Sequence, residues 1–102
     1  MNVDEHLLTC LIEECAEIQK RATKALRFGI DDRDPTRVNA SSERARLREE
    51  IIDFLGVVEM LEDRDVLSAT FFVPDHLRSA IDAKKKKVRE FFDYAREKGT
   101  LA

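Results

Sequence analysis

Two short acidic clusters, Glu13-Glu14-Cys15-Ala16-Glu17 and Glu50-Ile51-Ile52-Asp53, each sit inside an apolar stretch with the period of an α-helix. Carboxylates in such surroundings are costly unless something pairs with them. This restricts the chain to folds in which the two helices pack with their acids along a common, reachable margin. Two carboxylates three residues apart on each of two packed helices form the arrangement expected of a divalent-cation site.

Helical angles make the restriction quantitative. At about 100° per residue, with Glu14 at zero, Leu7 and Ala25 fall at about 20°, Ile18 at about 40°, Leu11 at about 60° and Glu17 at about −60°. With Glu50 at zero, Leu61 falls at about 20°, Phe54 at about 40°, Leu47 at about 60° and Asp53 at about −60°. Each helix therefore places one acid at the edge of its apolar stripe and a second about one-sixth of a turn further out. Glu13 and Glu49 point further from the stripe. Helices packed through these stripes bring Glu14, Glu17, Glu50 and Asp53 together, and such a group repels itself unless cations are bound. An oxygen-only donor set selects a hard cation, Mg²⁺ first and Mn²⁺ as a substitute, and without His or Cys it disfavours zinc. The alternative is ordinary solvated acids paired with Arg21, Lys24, Arg46 or Arg48; the matching geometry of the two clusters favours the cation site.

The remaining text reads as helices and one long connection. The first helix is expected over about Asp4 to Leu26, with Leu7, Leu11, Ile18, Ala22 and Ala25 on its stripe, widened by Leu8, Cys15 and Leu26. Gly29 is its stop signal. No helical period survives from Phe28 to Ser42, where Asp31-Asp32-Arg33-Asp34-Pro35 is turn chemistry. A connection of this length is either a lid or binding loop, or a disordered loop that is merely tolerated. The second helix is expected from Ser42 or Glu43 to about Glu62, on Leu47, Ile51, Phe54, Val58 and Leu61, flanked by Leu55 and Val57. Gly56 costs about 1 kcal/mol there relative to alanine; its missing side chain leaves room for a ligand or for a close helix crossing. An apolar connector over Val66 to Val73 reads as a turn or a short helix. Pro74 opens a third helix that carries Leu77, Ile81, Val88, Phe91 and Ala95 to about Glu97, and Gly99 closes it.

Composition sets the class. With 43% apolar and 38% charged residues the chain is an amphipathic helical globule rather than a disordered one. At 102 residues it is expected to be one domain, 1–102, of the all-α class. Three main helices leave little apolar surface to enclose a site, so the bundle is expected to be completed by oligomerisation into a four-helix-type core. A net charge of −3 argues against stable nucleic-acid binding. No apolar run is long enough to span a bilayer, and the acidic opening lacks a signal-peptide pattern. Cys10 and Cys15 stand about 140° apart on a helix and are expected to be free, buried or half-buried thiols, so a reducing cytoplasm is the expected compartment.

Cations complete the inventory. Lys84 falls on the third helix's own stripe, where an ammonium either snorkels to the surface or faces the acids and meets a phosphate; Lys87 lies one turn on. Arg21 and Lys24, on the same side of the first helix as Glu17, are comparable phosphate ligands.

Glu13-Glu14-x-x-Glu17 followed by Glu50-x-x-Asp53 resembles the EExxE…ExxD signature of MazG-like nucleotide pyrophosphohydrolases, in the all-α NTP pyrophosphatase superfamily. Leu11 to Glu17, Leu26-Arg27-Phe28-Gly29 and Glu49 to Leu55 are similar in text, and Ala83 to Leu101 is similar to short stand-alone members. The resemblance implies a Mg²⁺-dependent hydrolase that cleaves a nucleoside triphosphate between its α and β phosphates, giving the monophosphate and pyrophosphate. It implies Glu14, Glu17, Glu50 and Asp53 as metal ligands, with Glu17 the candidate base, and Lys84, Lys87, Lys24 and Arg21 on the phosphates. It also implies a homodimer or homotetramer. The runner-up is a helical interaction module, or a metal-binding regulatory module, on the same fold without catalysis.

Overall fold

The computed structural model describes residues 1–68 and 74–102, which contain three α-helices and no strand: α1 (Val3–Phe28), α2 (Glu43–Asp63) and α3 (Pro74–Glu97). The chain divides into two compact units, Met1–Leu67 and Ser68–Ala102. Each is described by itself.

Local chemistry sets the ends of α1. The Asn2 side chain accepts the Glu5 N–H at 2.9 Å, and the Asn2 N–H donates to the Glu5 carboxylate at 2.9 Å. This reciprocal pair satisfies two amides that the first turn leaves without partners, which is worth about 1 kcal/mol. At the other end Gly29 has φ +102° and its N–H donates to the Ala25 carbonyl. The Ser42 hydroxyl caps α2 by accepting the Ala45 N–H at 3.2 Å. That helix ends where Asp65 takes a left-handed φ of +59° and the N–H groups of Val66 and Leu67 both return to the Leu61 carbonyl. Asp is among the few side chains that tolerate this conformation.

α1 and α2 form an antiparallel hairpin, fastened at one end by the Asp4–Arg64 ion pair and near the other by Arg21–Glu43. Its core is small: Leu7, Val58 and the fully enclosed Leu61 along the seam, with Ala40 contributed by the connection. Leu11, Ile18, Ala25, Leu47 and Phe54 are half-buried around it. Of the residues expected to widen or flank the stripes, Leu8, Cys15, Leu26 and Leu55 are exposed and Val57 is half-buried, and two residues expected on the stripes, Ala22 and Ile51, are exposed as well, because a helix paired with one neighbour buries only one arc. Cys15 is accordingly an exposed free thiol and Cys10 a half-buried one. Gly56 is not at a close crossing: a methyl group there would meet nothing within 4 Å.

The 29–42 connection is pinned to the first turn of α2 and to itself. The N–H groups of Glu43 and Arg44 donate to the carbonyls of Asp32 and Ile30 at 2.9 and 2.7 Å. Arg33 Nη1 donates to the Ala40 carbonyl at 2.8 Å, and Arg44 forms an ion pair with Asp31 at 3.0 Å. Asp34 accepts the backbone N–H and the hydroxyl of Thr36. Between these ties Asn39 adopts φ +59°.

In the second unit, α3 begins at Pro74 and ends at Glu97, and Gly99, with φ +77°, donates its N–H to the Arg96 carbonyl. None of the α3 residues is buried. Of the connector expected over 66–73, Val66 and Leu67 form the close of α2, and 69–73, with Phe71 and Phe72, lie outside the described residues. No helix among the described residues is long and apolar enough to cross a membrane.

Candidate metal centre

Seven residues, about two turns, separate Glu14 from Arg21 on α1 and Glu43 from Glu50 on α2. The helices run in opposite directions, so the seam is built in two levels. At one level Glu14 and Glu50 meet; at the next, toward the connection, Arg21 meets Glu43. Glu14, Glu50 and Asp53 each offer a carboxylate oxygen, and these oxygens lie within 4.8 Å of one another. Glu14 and Glu50 are half-buried and Asp53 is exposed, while Glu13 and Glu49 are exposed, in the order the helical angles give. Glu17, one turn beyond Glu14 and half-buried, stays outside the group of three, although its charge still acts on Glu14.

The electrostatics record the crowding. Partial burial, then the charges of Asp53, Glu50, Glu17 and Glu13, hold the Glu14 carboxyl above its ordinary value. A carboxyl raised in the folded state binds its proton more readily there than in the unfolded chain, so its charge opposes folding at neutral pH. That opposition is relieved as pH falls through the raised value, and no further gain comes below the ordinary one. In EDTA, the thermal midpoint of the protein is therefore expected to rise, as pH falls from neutral toward the ordinary carboxyl value, relative to that of Glu14→Gln. Parallel pH profiles for the two proteins would remove this account. In more acid solution the trend reverses for a different reason. Asp31 beside Arg44, and Asp34 bonded to Thr36, are held below the ordinary carboxylate range, and their contribution is lost as pH falls through their lowered values.

The donor set suits a hard divalent cation: three carboxylates on two rigid helices, no nitrogen or sulfur, and one open side toward solvent at Asp53.

Beside the acids is a polar pocket of about 360 Å³, lined by Arg21, Arg37, Val38, Asn39, Ala40, Ser41, Arg46, Glu49 and Glu50. A second pocket of about 410 Å³ lies between Lys24, Phe28, Asp32, Asp34, Pro35, Glu43 and Arg46. Of the expected phosphate ligands, Arg21 borders the first pocket and Lys24 the second. Arg21 is also committed to Glu43: Nη1 lies 3.5 Å from Oε2, with 12% and 7% of the two side chains exposed. Lys84 and Lys87 belong to the second unit. Lys84 lies with Ile81, Val88 and Phe92 along a groove on the surface of α3, and Lys87 is exposed.

Glu43 and Arg37 stand outside the site residues expected from the sequence. Glu43 carries the same signal as Glu50, standing seven residues earlier on the same face. Arg37 lies in irregular backbone, where no period places it. A scan against protein-family models and searches of curated proteins and of solved structures each return no match to this chain.

Proposed function

We propose that this chain is a Mg²⁺-dependent nucleoside triphosphate pyrophosphohydrolase of the MazG-like kind, adding water across the α–β phosphoanhydride to give a monophosphate and pyrophosphate. The observation that carries the reading is the meeting of Glu14, Glu50 and Asp53 oxygens within 4.8 Å at the edge of a pocket lined by three arginines. Cation-binding oxygens beside anion-binding guanidiniums are what a metal–polyphosphate complex requires. Glu14, Glu50 and Asp53 would hold the cation, with Glu17 next to them. A bound Mg²⁺ would neutralise charge on the phosphate oxygens and lower the pKa of the attacking water.

The chain supplies the rest. Glu17, outside the group of three, is the carboxylate free to take the proton from water as oxygen adds to phosphorus and the anhydride bond breaks. Arg21 and Lys24 are the cations of this unit assigned to the phosphate chain and the leaving pyrophosphate. Completion of a four-helix-type core by a second or further copy belongs to the same reading. The hairpin buries four apolar residues, while Leu8, Ile12, Ile51, Ile52 and Leu55 remain exposed. On antiparallel helices, the faces carrying Leu8, Ile12, Ile51 and Leu55 lie on one side of the seam and the acids on the other. An apolar face of this kind calls for a cover.

The test is incubation of the purified protein with a panel of nucleoside triphosphates in Mg²⁺, in Mn²⁺ and in EDTA, with product separation and light scattering on the same sample. Monophosphate and pyrophosphate are expected with either metal and absent with EDTA, from a dimer or tetramer. Diphosphate and orthophosphate would refute the assigned bond, and a monomer would remove the oligomeric part. Failure to turn over any nucleotide would favour the interaction module.

A further inference from the structure

We propose that the phosphate chain of the nucleotide is received by an arginine pocket on the 29–42 connection, with Arg37 and Arg46 as its principal ligands and Arg21 at its floor. This rests on the hydrolase reading for the identity of the ligand, and extends it to residues which that reading does not use.

Charge is the first reason. Three guanidiniums face one pocket of about 360 Å³, and only one of them is committed. Among the described residues, neither the Arg37 nor the Arg46 side chain forms a hydrogen bond or ion pair; their charges reach Asp34 only at longer range. Glu49 and Glu50 line the same pocket and offset part of its positive charge, but neither forms an ion pair with Arg37 or Arg46 among the described residues, so the two guanidinium forks keep their donors for an anion. Arg46 is half-buried on α2, one turn before Glu50, so it holds its place at the pocket wall without a partner.

The second reason is orphaned donors. Arg21 Nε and Nη1 are buried without a hydrogen-bond partner, and so is Glu43 Oε2, which Nη1 faces at 3.5 Å, although buried polar groups are almost always paired. Arg21 borders the pocket, and its Glu43 partner holds the charge without satisfying either donor. Nη2 is not among the enclosed nitrogens, and a phosphate oxygen in the pocket is the kind of acceptor it can take. The N–H groups of Asn39 and Ser41, on the same wall, donate to no backbone or side-chain acceptor among the described residues.

Preorganisation is the third. Ala40 is buried, Arg33 holds its carbonyl, and the Arg44–Asp31 pair ties the start of the connection to α2. The backbone of the wall is built before any ligand arrives, so the ordering left to binding is chiefly that of the Arg37 side chain. Glu50 belongs to both the pocket and the acidic group, which places an anion in the pocket next to a cation on the carboxylates. Each ion then offsets the repulsion that the other faces, so the two should bind with positive coupling.

The experiment is calorimetric titration of inorganic pyrophosphate into the full chain at fixed free Mg²⁺, with nucleotide KM measured alongside. Arg37→Gln and Arg46→Gln are each expected to weaken pyrophosphate binding about tenfold or more, with KM raised in parallel. Arg46→Lys, which keeps the charge but loses the fork, should fall between wild type and Arg46→Gln. Arg37 lies on exposed loop, so its variant separates binding from folding. Unchanged pyrophosphate affinity in both glutamine variants, or no binding to the wild type, overturns the pocket. Pyrophosphate binding that depends on these arginines, without turnover of any nucleotide, upholds the pocket and removes the hydrolase reading instead.

Discussion

Glu14→Gln and Asp53→Asn are each expected to lower nucleotide turnover about a hundredfold or more at saturating Mg²⁺, with helical content unchanged. The direction follows from the donor set. Each substitution replaces one anionic oxygen of a group whose members lie within 4.8 Å, leaving a cation with two carboxylates in place of three. Stability should move the other way when metal is absent. Glu14 is crowded by four acids, and a neutral amide of the same shape removes that repulsion, so the thermal midpoint of Glu14→Gln in EDTA should equal or exceed that of wild type. Loss of activity with gain of metal-free stability is the signature of a binding site that opposes folding. Near-normal turnover in either variant would sink the ligand assignment, and a lower midpoint would mean that Glu14 acts as a packing residue.

The second large effect lies one level along the seam. Glu43→Leu removes the partner of a guanidinium that is almost enclosed, and is expected to cost about 3 kcal/mol, the low end for a broken buried pair because Arg21 can still turn toward the pocket. For a domain of this size that is a fall of more than about 10 °C in thermal midpoint. The double variant Arg21→Met with Glu43→Leu should recover most of the loss, since an apolar pair of similar volume often replaces a buried ion pair without penalty. It should also bind pyrophosphate less tightly than wild type, which separates the structural share of Arg21 from its share in the pocket. Denaturant unfolding of the three proteins decides this; a single variant within about 0.5 kcal/mol of wild type would show the pair to be hydrated and unimportant.

Some of this was open to sequence reasoning because the causes are local. Helix ends are set by groups a few residues apart: Asn2 with Glu5, Ser42 with Ala45, Gly29 with Ala25. The expected limits of α3 coincide with the observed ones, and α1 runs one residue further at its start and two at its end. The relative depth of Glu14, Glu50, Glu13 and Glu49 follows from helical angle alone, which needs no knowledge of the neighbour. The width of the core was overestimated for a comparable reason. A stripe shows which side chains are apolar but not how many neighbours will cover them, and one partner leaves Leu8, Ile51 and Leu55 exposed.

The acidic clusters therefore divide cleanly. By itself the sequence determined an all-helical chain with two matched carboxylate pairs, each at the edge of an apolar stripe, because 3.6 residues per turn converts spacing directly into direction. Only the tertiary structure decided which oxygens meet. Glu14, Glu50 and Asp53 converge and Glu17 stays apart, Arg21 is drawn to Glu43, and the connection bends so that Arg37 joins Arg46 beside the acids. Those facts depend on the register of two antiparallel helices and on the path of irregular backbone between them. Both are set by contacts between residues far apart in the chain, and no local spacing encodes them.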